Sequence, residues 1–323
     1  MSFQADFVTD RRRLRRKLSL WRILAFVAAG AAIVALGLMA GGKDLIAAQN
    51  SHIARVTIEG LITGDKATLD TIRRARKASA AKAVIVSINS PGGTTTGSEA
   101  LFHELRDLAK AKPTVAVVTG SAASGAYIAA LGTDRIIAPE TAIVGSIGVI
   151  IQYPDFSRSL QTLGVKVEAV RSSPLKAQPS GTEPTPPEAR AALEASVADS
   201  FAWFKGLVRD RRGMSEEDLG KVADGRVFTG RQSLPLRLID AIGREKDAIA
   251  WLESDKGLAK DLNVLDYRRT TTTGQFGLFS LAAAVSDAAG LPRIAEALRA
   301  TSRGIEAQSL DGLVSIWQPA GEN

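Results

Sequence analysis

Residues 23–42 form a run of twenty residues without a charged side chain, rich in Ala, Val, Leu and Ile. At about 1.5 Å of rise per residue, a helix of this length spans roughly 30 Å, which is the thickness of a bilayer's hydrocarbon core. The run therefore predicts one transmembrane helix near the N-terminus, with the longer remainder of the chain folding separately.

Basic side chains lie on one side of this run: Arg11, Arg12, Arg13, Arg15, Arg16, Lys17 and Arg22. This bias predicts a cytoplasmic N-terminus, with the rest of the chain across the membrane. A cleavable signal peptide is the alternative, but the run exceeds a usual apolar region of about 7–15 residues and no clean small-x-small site closes it. We favour a retained anchor: a basic cytoplasmic tail (1–22), a transmembrane helix (23–42) and a linker (43–52).

The overall composition excludes several function classes. The formal net charge of +7 equals the charge of the basic N-terminal cluster, so the remainder is nearly balanced and a nucleic-acid groove is not expected. The chain has no cysteine, which excludes a thiol nucleophile, thiolate metal sites and disulfides. It has two histidines, His52 and His103, which limits the choice of a catalytic base.

Strand-like and helix-like segments alternate through residues 53–268. Alternating or continuous apolar runs predict strands at 53–58, 83–88, 114–119, 135–138, 142–144 and 165–170. Amphipathic periodicity predicts helices at 68–80, 99–109 and 187–212, and a proline-rich loop covers 177–187. This alternation predicts an α/β domain with buried, mainly parallel strands.

The last residues, 269–323, are expected to form a helical extension. Residues 276–300 are alanine-rich and amphipathic, but Asp287 and Pro292 interrupt them, so a second membrane span is not predicted. Packing on the domain, contact with another subunit and contact with the membrane surface all remain open for this region.

Ser124 lies where a predicted strand gives way to a predicted helix, within residues 120–130 (Gly-Ser-Ala-Ala-Ser-Gly-Ala-Tyr-Ile-Ala-Ala). A serine in such a turn can project its hydroxyl, and the helix N-terminus behind it favours negative charge. Small neighbours leave room for a substrate backbone. The alternative is that Ser121 or Ser124 only caps the helix, since serine is a favoured N-cap residue.

A serine nucleophile needs a base that removes its proton. His52 lies close to the predicted anchor and His103 lies on a predicted surface helix, so neither is a strong candidate. A neutral lysine is the remaining option, and Ser-Lys pairs are known variants of the catalytic triad. Lys176 stands out because it follows the predicted strand 165–170, although composition alone leaves the choice of lysine open.

An oxyanion site needs backbone N–H groups that point at the developing charge. Residues 89–93, Asn-Ser-Pro-Gly-Gly, follow a predicted strand and can supply such groups, because glycine allows a carbonyl to come close. An ordinary strand-to-helix turn is the alternative. A phosphate-binding loop is excluded, because no Gly-Lys-Ser/Thr follows.

Four blocks in this order resemble the signal peptide peptidase A family of membrane-bound Ser-Lys peptidases, over about residues 53–250. The blocks are residues 88–93 (Ile-Asn-Ser-Pro-Gly-Gly), 123–128 (Ala-Ser-Gly-Ala-Tyr-Ile), 145–149 (Gly-Ser-Ile-Gly-Val) and 224–230 (Asp-Gly-Arg-Val-Phe-Thr-Gly). The single predicted N-terminal anchor agrees with this resemblance. Residues 315–319, Ser-Ile-Trp-Gln-Pro, also look similar to the family.

The resemblance implies an α/β crotonase-like or Clp-protease-like fold of repeated strand-strand-helix units, preceded by one transmembrane helix. It also implies that Ser124 is the nucleophile, Lys176 the general base and the Gly93 N–H the oxyanion-hole donor. Ser146 matches a serine that hydrogen-bonds the lysine amine and orients it. Two further residues would support the site: Gly92 and Gly125.

The sequence departs from the family pattern at three places. Ala126 stands where glycine is usual after the Ser-Gly pair. Ser173 and Ala177 flank Lys176 where glycine and a polar or acidic residue are common, which weakens the lysine assignment relative to the serine. Arg237 replaces an expected glycine, in a segment away from the predicted chemistry.

These features predict a membrane-anchored serine endopeptidase with its peptidase domain (53–268) on the extracytoplasmic side of the cytoplasmic membrane. Expected substrates are hydrophobic peptides such as residual signal peptides, bound against exposed strand edges. The resemblance to short, single-repeat relatives implies a homo-oligomer in which neighbouring subunits share active-site parts. No cofactor, metal or nucleic acid is expected. The alternatives are a non-catalytic oligomeric membrane scaffold and a crotonase-type acyl-CoA enzyme.

Overall fold

The computed structural model describes residues 21–24, 50–269 and the backbone of residues 314–316. The chain divides into two compact units, Met1–His52 and Ile53–Asn323. Residues 21–24 of the first unit are helical, whereas the rest of the predicted anchor and the predicted helical region 276–300 lie outside the described residues. Within the part of the chain that is described, no helix is both long and apolar enough to cross a membrane.

The second unit is built on a mixed β-sheet with helices packed against it. The described strands are β1 (His52–Ile62), β2 (Ala81–Thr94), β3 (Thr114–Ala123), β4 (Arg135–Ala138), β5 (Ile143–Gly145), β6 (Val227–Thr229), β7 (Ala241–Ile242), β8 (Val264–Asp266) and β9 (Val314–Ile316). The described helices are α1 (Lys66–Lys77), α2 (Thr95–Ala111), α3 (Gly125–Leu131), α4 (Ser157–Thr162), α5 (Pro187–Arg212), α6 (Glu216–Val222), α7 (Gly230–Ser233) and α8 (Glu245–Ser254).

The main strand order is β6-β5-β3-β2-β1-β8, with β4 beside β3, β7 beside β4 and β9 beside β2. Most strand pairs with a described register are parallel, including β2 with β3, β3 with β4 and β3 with β5. The pairs β5–β6 and β2–β9 are antiparallel. The prediction of an α/β domain is confirmed, and its sheet is mixed.

Strand β2 is buried on both faces, which explains its continuous apolar sequence. Successive side chains of a strand point to opposite faces. Accordingly, Val84, Val86 and Ile88 join the larger hydrophobic cluster, whereas Ala83 and Ile85 join a second, smaller cluster. The sheet therefore separates two hydrophobic layers and holds the ends of its central strands in fixed positions.

Two central strands run further than the sequence predicts. β2 continues through the predicted turn 89–93 to Thr94, and β3 continues to Ala123. Ser90 pairs with Ala122 after an irregularity between Ile88 and Ser90, where the Asn89 side-chain oxygen accepts a hydrogen bond from the Ser121 N–H at 3.1 Å. Between the Ile88 and Ser90 pairs, β2 advances by two residues and β3 by four, so the register shifts at this irregularity. The glycine pair is thus part of a sheet strand.

The prediction of a strand at residues 165–170 is wrong, because these residues have no regular secondary structure. Their apolar side chains are exposed, with Val165 at 48%, Val167 at 50% and Val170 at 107% relative accessibility. Alternating apolar residues are typical of a half-buried strand, but this segment pairs with no strand among residues 50–269. The prediction of a helix at 187–212 is confirmed, since α5 has these bounds.

Candidate active site

Ser124 occupies the single residue between β3 and α3. Its N–H donates to the Gly145 carbonyl at 2.7 Å, and its carbonyl accepts from the N–H groups of Tyr127 and Ile128. The residue is 1% exposed and has φ 54° and ψ −119°. It is the N-cap residue of α3 by position, but its side chain makes no capping hydrogen bond. The predicted helix-capping role is therefore not what its hydroxyl does.

A positive φ is unfavourable for any residue with a Cβ, and such strain is found mainly at functional sites. The turn is possible because its neighbours are small: Ala122, Ala123 and Ala126 are all fully buried. A strained serine between a strand and a helix is the arrangement that presents a hydroxyl for nucleophilic attack. Ala126, which departs from the family's usual glycine, fits this turn without exposing its methyl group.

Gly93 lies on β2 close to the backbone of Ile62. A Cβ at this position would lie 1.9 Å from the Ile62 carbonyl oxygen, so only glycine fits. Gly92 has φ +109°, and its N–H donates a hydrogen bond to the Ser90 hydroxyl oxygen at 3.1 Å. Thr94 then caps α2, because its side chain accepts from the Gly97 N–H. The glycine pair thus stands directly before a helix N-terminus, where negative charge is stabilised.

Ser146 follows the strand that pairs with the strand carrying Ser124. Ala123 pairs with Gly145 in parallel, so Ser124 and Ser146 emerge side by side from neighbouring strands about 5 Å apart. The Ser146 N–H donates to the Arg226 carbonyl at 2.8 Å, and its φ is 51°. The second strained serine of the site therefore also lies at the carboxyl edge of the sheet.

The carboxyl ends of β2, β3 and β5 meet at one edge, which is where sites form in sheets of parallel strands. This edge brings together four of the predicted site residues: Gly92, Gly93, Ser124 and Ser146. Gly125, the first residue of α3, lies there as well. The sequence predicted each of these residues, but their common position depends on strand order, which the sequence did not specify.

Lys176 lies on an irregular segment between α4 and α5, and its side chain is exposed to solvent. Its N–H donates to the Ser173 carbonyl at 3.1 Å, and the following residue, Ala177, has φ 59°. The buried Ser124 and the exposed Lys176 therefore differ sharply in environment within one chain. We call residues 171–183 the lysine loop.

A carboxylate holds the lysine loop together. Glu183 Oε1 accepts from Arg171 Nη2 at 2.5 Å, from Gln178 Nε2 at 2.5 Å and from the Ser180 hydroxyl at 3.4 Å. These donors, Gln178 first and then Arg171, hold the pKa of Glu183 below its usual range. The loop is tied to the chain before α4, since the Phe156 N–H donates to the Gly181 carbonyl. Sequence reasoning missed Arg171 and Glu183, whose opposite charges flank Lys176.

Tyr127 fixes the helix behind Ser124 and was also missed. Its ring is fully buried, and its hydroxyl donates to the Leu238 carbonyl at 2.8 Å. Burial raises its pKa, with a further contribution from Asp240. Aromatic hydroxyls that are buried usually find such a partner, but the partner lies more than a hundred residues away in sequence. No local pattern signals it.

The two histidines lie on other elements: His52 is the first residue of β1 and His103 lies within α2. His103 is on α2 with a side chain 65% exposed, and its Nε2 is 3.8 Å from Glu99 Oε1. Among the described side chains, no group of three or more His, Cys, Asp or Glu residues is arranged to hold a metal ion. The site residues that the structure brings to this edge are two serines and the glycines of the strand and helix ends.

A strained serine beside a glycine strand end, at the carboxyl edge of an α/β sheet, is typical of enzymes that use serine as a nucleophile. Sequence comparison identifies the family: the model of peptidase family S49 matches residues 106–259. A protein of Synechocystis sp., provisionally named a protease, is 35% identical over 216 residues, covering 66% of this chain and 78% of that protein. The chain belongs to peptidase family S49 and is a serine peptidase of the type that includes signal peptide peptidase A.

Two further relatives support this assignment. A protein of Enterococcus faecium that carries the provisional name signal peptide peptidase SppA is 30% identical, covering 70% of this chain and 69% of that protein. The chloroplastic serine protease SPPA of Arabidopsis thaliana is 30% identical, covering 73% of this chain and 36% of that protein.

Two solved structures show partial similarity to the chain. One is a membrane-bound stomatin-specific protease, with 15% identity, a TM-score of 0.44 and coverage of 68% of this chain and 99% of that chain. The other is ClpP1 of Listeria monocytogenes, with 16% identity, a TM-score of 0.39 and coverage of 60% and 92%.

Proposed function

We propose that the protein is a membrane-anchored serine endopeptidase that cleaves hydrophobic peptides, such as signal-peptide remnants, with Ser124 as nucleophile and Lys176 as general base. The observation that carries this proposal is the strained, buried Ser124 beside Gly93 at the carboxyl edge of the sheet. Membership of peptidase family S49 supports the class of reaction.

In the proposed reaction, the neutral amine of Lys176 takes the proton of the Ser124 hydroxyl while the oxygen attacks the scissile carbonyl carbon. The Gly93 N–H stabilises the resulting oxyanion, and Ser146 holds the lysine amine in place. The tetrahedral intermediate collapses as the Lys176 ammonium protonates the leaving amine. Lys176, neutral again, then takes a proton from a water molecule that attacks the acyl carbonyl carbon. Collapse of this second intermediate breaks the bond to Ser124 and returns the proton to the serine oxygen.

A homo-oligomer with shared active-site parts accounts for the exposed lysine loop. Apolar side chains that precede Lys176 in the sequence are exposed in the single chain: Leu163, Val165, Val167, Val170 and Leu175. Contiguous exposed apolar side chains favour a covering partner. A second copy over this surface would bring Lys176 toward the neighbour's Ser124. Removal of water around an amine also favours its neutral form, which is the form that accepts a proton.

The remaining parts of the proposal extend beyond the described residues. We infer a cytoplasmic basic tail (1–22), a single transmembrane helix (23–42), a linker (43–52), an extracytoplasmic peptidase domain (53–268) and a C-terminal extension (269–323). The uncharged run and the one-sided basic cluster support the anchor. We also propose that the domain has the crotonase-like or Clp-protease-like arrangement of repeated strand-strand-helix units.

The central test is the replacement of each proposed catalytic residue. We expect Ser124→Ala and Lys176→Ala each to abolish hydrolysis of a fluorogenic apolar peptide while assembly is kept. Lys166→Ala is the matched control, because Lys166 is an exposed lysine in the same irregular segment, paired with Glu168. It should retain full activity. Full activity of Lys176→Ala would contradict the dyad.

Mixing the two inactive variants tests whether subunits share the site. If Lys176 serves a neighbouring subunit, assemblies mixed from equal amounts of the two variants contain some sites with both residues intact. Random pairing then restores about one quarter of the wild-type activity. No recovery would contradict the shared site. Absence of labelling of Ser124 by a fluorophosphonate would favour the scaffold alternative.

A further inference from the structure

Three arginine side chains converge on a cavity at the end of α3 that is far from Ser124. The cavity forms where the last turn of α5 meets the segment between α7 and β7, and its volume is about 380 Å³. Its lining consists of Arg211, Arg212, Leu234, Arg237, Ile239 and Asp240. Small-molecule sites commonly fall between about 300 and 1,000 Å³, so the cavity is large enough for a small organic ligand.

Two of the three guanidinium groups are paired with carboxylates. Arg212 donates from Nη2 to Asp240 Oδ1 at 2.8 Å and from Nη1 to Asp240 Oδ2 at 3.2 Å. Arg237 donates from Nη2 to Asp218 Oδ2 at 2.8 Å, with side chains that are 52% and 41% exposed. An exposed ion pair of this kind contributes little stability, so the Arg237 side chain can turn toward a ligand in the cavity.

Arg211 forms no ion pair with a carboxylate among the described residues. Its Nε and Nη2 donate to the carbonyls of Leu131 and Thr133, both at 2.9 Å, and these neutral groups leave its charge uncompensated. Burial lowers the pKa of Arg211, and the nearby Arg106 lowers it further. Because a guanidinium still remains charged at neutral pH, the cavity contains a positive charge without a counter-ion from the chain.

The backbone at Arg237 gives a second, independent indication of a site. Its φ is 57°, a conformation that glycine adopts readily and that strains a residue with a Cβ. Arginine nevertheless stands here, at a position where the family pattern has glycine. Strained residues of this kind are concentrated at functional sites, including ligand clamps. The Arg237 carbonyl is itself held by the Arg212 Nε, so the two cavity arginines are fixed relative to each other.

Stabilisation of a helix end does not account for this arrangement. Arg211 and Arg212 lie in the last turn of α5, where the helix dipole favours positive charge. Arg237, however, lies outside the helix and lines the same cavity. Arg209, in the same last turn, instead pairs with Asp210 and Glu216. The dipole therefore explains basic residues in this turn but not the convergence of three guanidinium groups on one cavity.

We propose that this cavity binds a small organic phosphate, with the guanidinium groups of Arg211 and Arg237 holding the phosphate oxygens. The planar fork of a guanidinium matches two phosphate oxygens, and such charge-assisted hydrogen bonds are among the strongest in proteins. The apolar side chains of Leu234 and Ile239 contact the organic part of the ligand. The phosphate belongs either to a soluble ester or to a phospholipid headgroup. This site does not depend on the proposed peptidase chemistry.

The test measures binding of glycerol phosphate to the full chain in an uncharged, phosphate-free detergent by isothermal titration calorimetry. We expect saturable binding of one molecule per chain, and no binding of glycerol, which lacks the phosphate. Addition of phosphatidylglycerol to the micelles separates the two sources. A weaker apparent affinity for glycerol phosphate, with no such effect of phosphatidylcholine, assigns the site to a lipid headgroup. An unchanged affinity assigns it to a soluble ester. Absence of glycerol phosphate binding would overturn the inference.

Point variants locate the binding. Arg237→Gly removes the guanidinium and also relieves the backbone strain, so the protein should fold while its Kd for glycerol phosphate rises at least about tenfold. Arg211→Gln removes the uncompensated charge and should weaken binding by a similar factor. Arg209→Ala is the matched control, since Arg209 lies in the same turn of α5 outside the cavity, and its Kd should equal that of wild type. Wild-type affinity in Arg237→Gly would overturn the inference.

Discussion

The positive φ of Ser124 has a cost that a substitution can release. A residue with a Cβ in this region carries about 1–3 kcal/mol of strain, which glycine avoids. Glycine in turn lowers the free energy of unfolding by about 0.5–1 kcal/mol relative to alanine, because it gives the unfolded chain more conformational freedom. At φ 54° the first effect is larger. We therefore expect Ser124→Gly to be more stable than Ser124→Ala by about 1 kcal/mol.

Thermal unfolding of the two purified full-length variants measures this difference. For a domain of this size, 1 kcal/mol corresponds to a Tm difference of roughly 2–4 °C. Both variants lack the serine hydroxyl, so loss of that group cancels in the comparison and self-cleavage by Ser124 does not interfere. The absolute stability of the wild-type protein is not needed.

Ser196 provides the matched control because it lies within α5, where its hydroxyl donates to the Ala192 carbonyl. In a helix interior, glycine is about 1 kcal/mol less favourable than alanine, so the order of the two variants should reverse there. A Ser124→Gly protein that is no more stable than Ser124→Ala, with the expected order at Ser196, would refute the claim of strain at the nucleophile position.

Two further predictions concern residues that support the site. Tyr127→Phe should lower the free energy of unfolding by about 1–3 kcal/mol, because the buried Leu238 carbonyl loses its donor; urea denaturation measures this, and an unchanged midpoint would contradict it. Glu183→Gln should reduce kcat, with a smaller effect on KM, because the lysine loop loses its ion pair with Arg171. The folded-state pKa of Glu183 is lowered, so its stabilisation is present above the unfolded pKa and is lost as pH falls through the folded one. The acidic decline of wild-type thermal stability should therefore be weaker in Glu183→Gln, and identical pH profiles would count against the role of the carboxylate.

The sequence predicted the site best where local pattern and structure coincide. The strand, the small residues around Ser124 and the following helix all lie within residues 114–131, so periodicity and residue size were sufficient. The long helix α5 was likewise predictable, since Pro187 begins it and Gly213, with φ 58°, ends it. These features need no information from distant parts of the chain.

The sequence was insufficient where distant pairing decides the structure. Pro91-Gly-Gly93 is typical of a turn, yet it is the end of a strand, because Ser90 before it pairs with β3 and residues 92–94 pair with β9. Residues 165–170 alternate as a strand should, yet no described strand within residues 50–269 pairs with them. The contact of Glu183 with Arg171 depends on how the loop folds back. Periodicity reports which faces of a segment are apolar and does not report what the segment packs against.

The lysine loop has a consequence for how this sequence can diverge. Arg171 and Glu183 join the two ends of the loop, and the residues between them are mostly exposed. Substitutions inside such a closed loop change few buried contacts, so selection on folding acts weakly on them. Ser173 and Ala177, which depart from the family pattern, both lie inside it. Among related sequences, Arg171 and Glu183 should therefore change together or be kept, while loop positions that contact neither the site nor a neighbouring subunit vary more.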